Sequence, residues 1–268
     1  MIIFKSINKL KEKVNFKANI GFVPTMGALH KGHISLVKSS KLKYDKTIVS
    51  IFVNPSQFNK NNDYKKYPRK ILSDIKILRK LKVDYVLIPE VDDVYKNKKQ
   101  TKIKLKKRDK VLCSKHRPGH FEGVLGVISI FLKNIKAKYI FLGEKDFQQI
   151  YIIKKYLGKK FKTKIISCKT IRYKSFAYSS RNQLLSKKDI HKGITISKIL
   201  KKFYNQSKKN FSKIKNLNNV NKKISQICSK VEYLEIKNKK NLSKKINRKN
   251  FKIFISYYLN KIRLIDNF

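Results

Sequence analysis

His30 and His33 stand three residues apart in the run Pro24-Thr-Met26-Gly27-Ala28-Leu29-His30-Lys31-Gly32-His33. At that spacing two imidazoles can face one anion. Gly27 and Gly32 let the backbone approach a ligand closely. A helix starting here would offer unpaired N–H groups and the positive end of its dipole to a phosphate. Such donors stabilise charge on a transferring phosphoryl group without forming a covalent bond. Two other readings of His-x-x-His stay open: a pair of surface histidines beside a turn, or half of a zinc site. His116 and His120 are further imidazoles, but no Cys pair and no HExxH run supports zinc. Gln57 and Gln149 each carry an amide that can both donate and accept. Together they suit a substrate with hydroxyls and a carboxylate, although a lone Gln is more often a surface residue.

These residues need a frame. Residues 20–23 are a short apolar run that ends at Pro24, and residues 33–43 have a helical pattern. Residues 47–53 (TIVSIFV) are β-branched and almost wholly apolar, as a buried parallel strand requires. Between Arg69 and Leu81, the residues Ile71, Leu72, Ile75, Leu78 and Leu81 fall at helical spacing behind Pro68. Residues 85–88 read as a strand, 103–105 as a small exposed strand, 121–134 as a helix, 139–142 as a strand, 146–156 as a helix and 164–168 as a strand. Strand–helix alternation of this kind predicts a parallel sheet with helices on both faces. Ligands of such folds bind beyond the carboxyl ends of the strands. After residue 173 the pattern changes. Helices are expected over 190–204 and within 211–230, and strands over 231–236 and 251–259. The expected architecture is α/β: a Rossmann-like parallel-sheet domain over residues 1–173 and a smaller α+β domain over 174–268.

The chain has 268 residues with 67 Lys+Arg, 16 Asp+Glu and a formal charge of +51. That balance invites a nucleic-acid reading. Yet 41% of the residues are hydrophobic, too many for a disordered basic tail. Only eight of the cations are Arg, at 69, 79, 108, 117, 172, 181, 248 and 263; the other 59 are Lys. Nucleic-acid readers favour the planar Arg fork, and no RNP, KH or zinc-finger signature is present. The Lys excess reads as composition bias, with no specific nucleic-acid partner. It follows that a position still holding Arg needs Arg geometry. Three Cys without C-x-x-C indicate a reducing compartment. The longest apolar run, near 124–132, is far short of the ~20 residues a membrane helix needs, and the N-terminus has no apolar stretch of signal-peptide length. A cytoplasmic location with no membrane partner is expected.

The motifs resemble one family closely. His30-Lys-Gly-His33 after a strand looks like the HxGH signature of the nucleotidyltransferase superfamily. Ile51-Phe-Val-Asn-Pro-Ser-Gln57-Phe58, Tyr67-Pro-Arg69, Arg117-Pro-Gly-His-Phe-Glu-Gly-Val124, Gly143-Glu144-Lys145-Asp146-Phe-Gln-Gln149, Ser179-Ser180-Arg181-Asn182 and Arg263-Leu-Ile-Asp-Asn267 follow in order. Together they resemble the pantothenate synthetases (pantoate–β-alanine ligases) over essentially the whole chain.

The resemblance implies a two-step reaction. ATP and (R)-pantoate give pantoyl adenylate and pyrophosphate, and the amine of β-alanine then displaces AMP. It implies ATP contacts at Met26, Gly27, Ala28, Leu29, His30, Lys31, Gly32 and His33, at Gly143, Glu144, Lys145 and Asp146, at Ile171 through its backbone, and at Tyr178, Ser179, Ser180 and Arg181. Asp146 suits ribose hydroxyls, Lys145 a phosphate, and Ser179, Ser180 and Arg181 the leaving pyrophosphate. Pantoate falls to Gln57 and Gln149, and β-alanine to Gln57. His33 is the implied proton donor, supported by His30, Lys145 and Arg181. Arg69, Arg117 and Arg263 carry structural rather than catalytic expectations. Mg²⁺ is expected with ATP, its protein ligand unassigned, and the assembly is expected to be a homodimer. A different adenylyltransferase with the same HxGH site is the rival within the fold; the paired glutamines and Arg117–Phe121 oppose it. Two departures stand out. The family's Leu-Glu-Gly is Leu112-Cys113-Ser114 here, and the loop before Ser179 lacks the usual Asp-Gly, so its turn geometry is open.

Overall fold

In the computed structural model, residues 1–16, 18–59, 61–95 and 103–268 are described. The strands are β1 (Ile2–Phe4), β2 (Ile20–Thr25), β3 (Lys46–Ile51), β4 (Tyr85–Leu87), β5 (Tyr139–Gly143), β6 (Lys164–Cys168), β7 (Arg172–Tyr173), β8 (Phe176–Ala177), β9 (Lys230–Asn238), β10 (Phe251–Leu259) and β11 (Ile262–Asn267). The helices are α1 (Ile7–Lys13), α2 (Lys31–Lys41), α3 (Asn61–Lys65), α4 (Ile71–Lys80), α5 (Val91–Tyr95), α6 (Cys113–His116), α7 (His120–Ile135), α8 (Phe147–Ile153), α9 (Lys187–Lys209) and α10 (Leu217–Ser225). They fall into two compact units: Met1–Lys107 with Arg117–Lys169, and Arg108–His116 with Thr170–Phe268.

The first unit is an α/β unit. Its six strands are all parallel, in the order β1-β4-β3-β2-β5-β6. The central strands, β2 to β5, are mostly buried on both faces, as a sheet covered on both sides demands. Val23, Val49, Val86 and Phe141 pack with Leu36 and Val37 of α2 and Leu78 of α4. On neighbouring residues the strands turn the other way, and there Phe22 meets Phe131 of α7 edge-on, with ring centroids 5.8 Å apart. The chain runs outward from β2 through β3 to β4, then returns to β5 on the opposite side of β2. The loops after β2 and β5 therefore diverge at the carboxyl edge, which makes the crevice where α/β folds bind ligands.

The second unit holds the antiparallel sheet β11-β10-β9 and the hairpin β7-β8. One core joins Ile196, Leu200 and Phe203 of α9, Ile224 of α10 and Ile253, Ile255 and Tyr257 of β10.

Several expectations need correction. Residues 103–105 form no strand: Leu105 is buried, but the segment pairs with no ladder. Apolar alternation there reflects one buried anchor. The helix expected within 211–230 is α10, and it fills only part of that span. A 3₁₀ stretch, Phe211–Asn216, precedes α10, and its Asn210 cap accepts from Ser212 N at 3.1 Å. The helix expected over 146–156 is α8 followed by a π turn at Lys154–Gly158. β1 and β11 were not anticipated. Three residues at an edge carry little period-2 signal, and β11 overlaps the Arg263–Asn267 motif.

The turn left open before Ser179 is a tight hairpin. Lys174 and Ser175 occupy its apex with φ of 46° and 78°. Two-residue hairpins need positive φ at both positions, a role usually given to Gly or Asn. Here Arg172 holds the turn: Nη1 donates to Ser175 O at 2.8 Å, and Nη1 and Nη2 grip Asp266 at 2.7 and 2.8 Å.

Candidate active site

The site begins with a backbone that only some residues can follow. Past β2, Gly27 and Ala28 have φ of 76° and 49°. This reversal is tied at both ends. Thr25 Oγ1 donates to Ser50 O at 2.7 Å and accepts from Gly27 N at 3.2 Å. Asp74, fully buried on α4, accepts from Ala28 N at 2.8 Å on one oxygen and from Leu29 N at 2.7 Å on the other. Burial lifts the Asp74 carboxyl above its ordinary value, against the pull of those two N–H groups. A Cβ on Gly27 would lie 3.0 Å from the same carboxylate. Ala28 and Leu29 are buried, and their amides are already bonded to Asp74.

The turn delivers His30 to the N-cap of α2, where its Nδ1 accepts from Gly32 N at 3.1 Å. That bond fixes the neutral tautomer with the proton on Nε2. His33 lies one turn on, its ring centroid 4.0 Å from that of His30. Its Nδ1 is shielded from solvent and has no hydrogen-bond partner among the described residues. Burial, with the positive charge of Lys145, pushes the His33 pKa down to about 4. His30 is pushed lower still by burial, His33 and Lys145. Both imidazoles are therefore neutral at pH 7. A neutral imidazole can polarise an oxygen as a hydrogen-bond donor, so a donor role for His33 needs no imidazolium.

From β5, Gly143 leads into a 3₁₀ turn, Glu144–Asp146, and then α8. Lys145 Nζ lies 2.9 Å from Asp146 Oδ1, with the lysine largely buried. Its charge acts on both imidazoles, so the loops after β2 and β5 meet at the histidines. Gln149 sits half-buried on α8.

Gln57 follows β3, in a 3₁₀ turn capped by Asn54. It is buried, and its Nε2 lies 2.9 Å from Met26 Sδ. The Arg117–Gly123 motif clamps this turn. Arg117 Nη2 and His120 Nδ1 both donate to Gln57 O, at 3.1 and 2.7 Å, and Arg117 Nη1 donates to His120 Nε2 at 3.3 Å. Gly123 is obligatory: a Cβ there would sit 2.3 Å from Ser56 O. Gln57, His30 with His33, and Lys145 with Asp146 and Gln149 thus arise from three adjacent strands, β3, β2 and β5.

The remaining predicted residues lie in the second unit. Ile171 O accepts from Tyr178 N at 3.1 Å. Ser179 caps the 3₁₀ turn Ser180–Leu184 through Arg181 N, and Ser180 is buried. Arg69, in the first unit, and Arg263, in the second, behave as the scarcity of Arg implied. Arg69 donates to Tyr64 O, Lys65 O and Tyr67 O, and Arg263 grips Glu232. Cys113, in place of the family's Glu, lies 3.4 Å from Arg263 Nη2 and 3.0 Å from Tyr233 Oη.

Comparison with known proteins shows the family. A family model described as pantoate-beta-alanine ligase matches residues 2–268. The chain belongs to the pantoate–β-alanine ligase family. It is 41% identical to the pantothenate synthetase of Francisella tularensis subsp. mediasiatica (strain FSC147), covering 98% of this chain and 94% of that one. It is also 41% identical to the pantothenate synthetase of Francisella philomiragia subsp. philomiragia, covering 100% and 97%. Among solved structures it is similar to the pantoate-beta-alanine ligase of Francisella tularensis complexed with beta-gamma ATP and beta-alanine. That likeness has a TM-score of 0.86 at 41% identity over 100% of this chain and 97% of that one. The pantothenate synthetase of Thermus thermophilus superposes with a TM-score of 0.92 at 26% identity, covering 100% and 99%. Reading the sequence missed Asp74, Asn54 and His120 as supports of the site. For Asp74 a signal was available: it is one of 16 acidic residues in a chain of charge +51.

Proposed function

We propose that the chain joins (R)-pantoate to β-alanine at the expense of ATP, yielding pantothenate, AMP and pyrophosphate. The whole-length family match, with paired histidines at the divergence of β2 and β5, is the observation that carries this reading. In the first step a pantoate carboxylate oxygen attacks the α-phosphorus and pyrophosphate leaves, giving pantoyl adenylate. In the second the β-alanine amine attacks the acyl carbon and AMP leaves.

The residue roles follow from the chemistry above. Met26–His33 and Gly143–Asp146 bind ATP, with Asp146 at the ribose hydroxyls and Lys145 at phosphate. The amides of Ala28 and Leu29 bond to Asp74, which fixes the course of the backbone in this loop. His33, supported by His30, donates a hydrogen bond to phosphate oxygens as charge builds on them. Ile171, Tyr178, Ser179, Ser180 and Arg181 are assigned to ATP by their motif. Gln57 and Gln149 take pantoate, and Gln57 also takes β-alanine. Mg²⁺ arrives on the ATP phosphates. Among the described residues no group of three or more His, Cys, Asp or Glu could cage a metal, and Mg²⁺ commonly keeps its waters and phosphate ligands. We further propose a cytoplasmic homodimer; no helix among the described residues is long and apolar enough to cross a membrane.

The test is pantoate-dependent exchange of pyrophosphate into ATP, followed by AMP release that requires β-alanine. Absence of exchange with pantoate would overturn the reading.

A further inference from the structure

The orientation of the Gln57 amide can be deduced rather than assumed. Asn54 Oδ1 faces Ser56 N at 3.2 Å, and a backbone N–H can only donate. The opposite end of that amide, Nδ2, faces Gly123 O at 3.2 Å, which can only accept. Two backbone groups thus fix Asn54 without ambiguity. Nδ2 also lies 3.1 Å from Gln57 Oε1, so Gln57 must present its oxygen inward and its NH₂ outward. That NH₂ lies beside Met26, in the loop that leads to His30. Two hydroxyls complete the lock: Ser56 Oγ donates to Asn54 Oδ1 at 2.9 Å, and Tyr95 Oη lies 2.5 Å from Asn54 Oδ1 and 2.9 Å from Ser56 Oγ. Burial raises the Tyr95 phenol above its ordinary value, so it stays protonated and donates. Its ring packs 6.3 Å from that of Phe52, which holds it in place independently of its hydroxyl.

We propose that Tyr95 is a positioning residue which, through Asn54, locks Gln57 as a pure hydrogen-bond donor toward an oxygen acceptor of the acid substrate. This rests on the pantoate reading of the same site and narrows it. Gln57 recognises a carboxylate or hydroxyl lone pair and does not accept from a substrate hydroxyl. Tyr95 touches no substrate; it reinforces the Asn54 orientation that the two backbone groups set, and so steadies the outward NH₂ of Gln57.

The experiment compares the parent with Tyr95→Phe in pantoate-dependent ATP–pyrophosphate exchange. Loss of one hydrogen bond to the relay is expected to raise the pantoate KM roughly five- to tenfold. The ATP KM should stay within about twofold and the melting temperature nearly unchanged, a split that a general loss of structure would not give. An unchanged pantoate KM, or equal changes for ATP and pantoate, overturns the proposal. Asn54→Asp is the second variant. It sets an acceptor against Gln57 Oε1, forces the amide to turn over, and should raise the pantoate KM more than Tyr95→Phe does; a smaller rise also overturns it. Failure of the parent to exchange with pantoate would instead sink the functional reading itself.

Discussion

Replacing Asp74 by Asn separates holding the loop before His30 from holding the fold. The carboxylate accepts two backbone N–H bonds, 2.8 Å from Ala28 and 2.7 Å from Leu29. The amide keeps one acceptor and turns an NH₂ toward the other N–H. One bond is lost and a backbone N–H is left facing the new NH₂, both unsatisfied donors, a loss of about 1–3 kcal/mol to the loop. The ionised carboxylate, however, is itself disfavoured by burial, since its pKa is raised. For a carboxyl with a raised folded-state pKa, stability is lost as pH rises from the ordinary value through the raised one. Ionisation of the wild-type carboxyl therefore carries that penalty, and the neutral amide removes it. The two effects oppose each other in global stability, while only the first acts on the order of the loop.

The expected result is a melting temperature within about 3 °C of the parent, since ~1 kcal/mol moves Tm by roughly 2–4 °C at this size. Exchange activity should fall about 10- to 100-fold, because displacement of a catalytic group by about 1 Å can lower a rate ~100-fold. The assay is pantoate-dependent ATP–pyrophosphate exchange beside thermal unfolding of the same samples. Activity within twofold of the parent would refute the claim that Asp74 places His30 and His33. A large loss of Tm matching the loss of activity would refute the claim that its ionisation is a burden on the fold.

Three further outcomes follow from the geometry. His33, with a pKa pushed down to about 4, and His30, lower still, are neutral when folded. Unfolding lets them protonate near the ordinary value of about 6.5. Stability should therefore fall as pH drops from about 6.5 toward 4, and the double variant His30→Gln/His33→Gln should flatten that fall in Tm-versus-pH curves. Gly123→Ala places a methyl 2.3 Å from Ser56 O; overpacking of about 1–3 kcal/mol is expected, with a lower Tm and a raised pantoate KM. Ser175→Gly relieves a non-glycine residue at φ 78° and should raise Tm by a few degrees, since the left-handed region costs about 1–2 kcal/mol for an L-residue.

The parallel sheet was legible because its central strands, β2 to β5, are buried on both faces and interrupted by amphipathic helices. Residues 47–53 could hardly read otherwise. The site was legible where chemistry clusters in sequence: His30 with His33, and Gly143 through Asp146. It was not legible where a residue acts from a distant element. Asp74 supports a loop 45 positions earlier in the chain, and Arg117 and His120 act on Gln57 O from 60 and 63 positions away. Local periodicity holds no trace of such pairs. Lys174-Ser175 escaped for a different reason: turn preferences name Gly or Asn there, and the Arg172 clamp that makes their absence tolerable reaches to Asp266.

Scarcity carries information that periodicity lacks, and it does so for both signs of charge. A chain of net charge +51 in which Lys is the default surface residue gains little from any one more Lys. A position that holds an acid instead is under a specific demand. Asp93 accepts from Ile7 N and Ser6 Oγ at the start of α1. Asp84 accepts from Thr47 N, Asp45 from Asn19 N, and Asp189 from Asn260 Nδ2. Asp266 and Glu232 hold Arg172 and Arg263. With Asp74, these acids each join parts of the chain more than twenty residues apart, and most do so by accepting from main-chain N–H groups. A lysine cannot take that role, because an ammonium only donates. The tolerance for Lys thus stops where the fold needs an acceptor, and Asp74, bonded directly to the turn that carries His30, is where that limit and the proposed chemistry coincide.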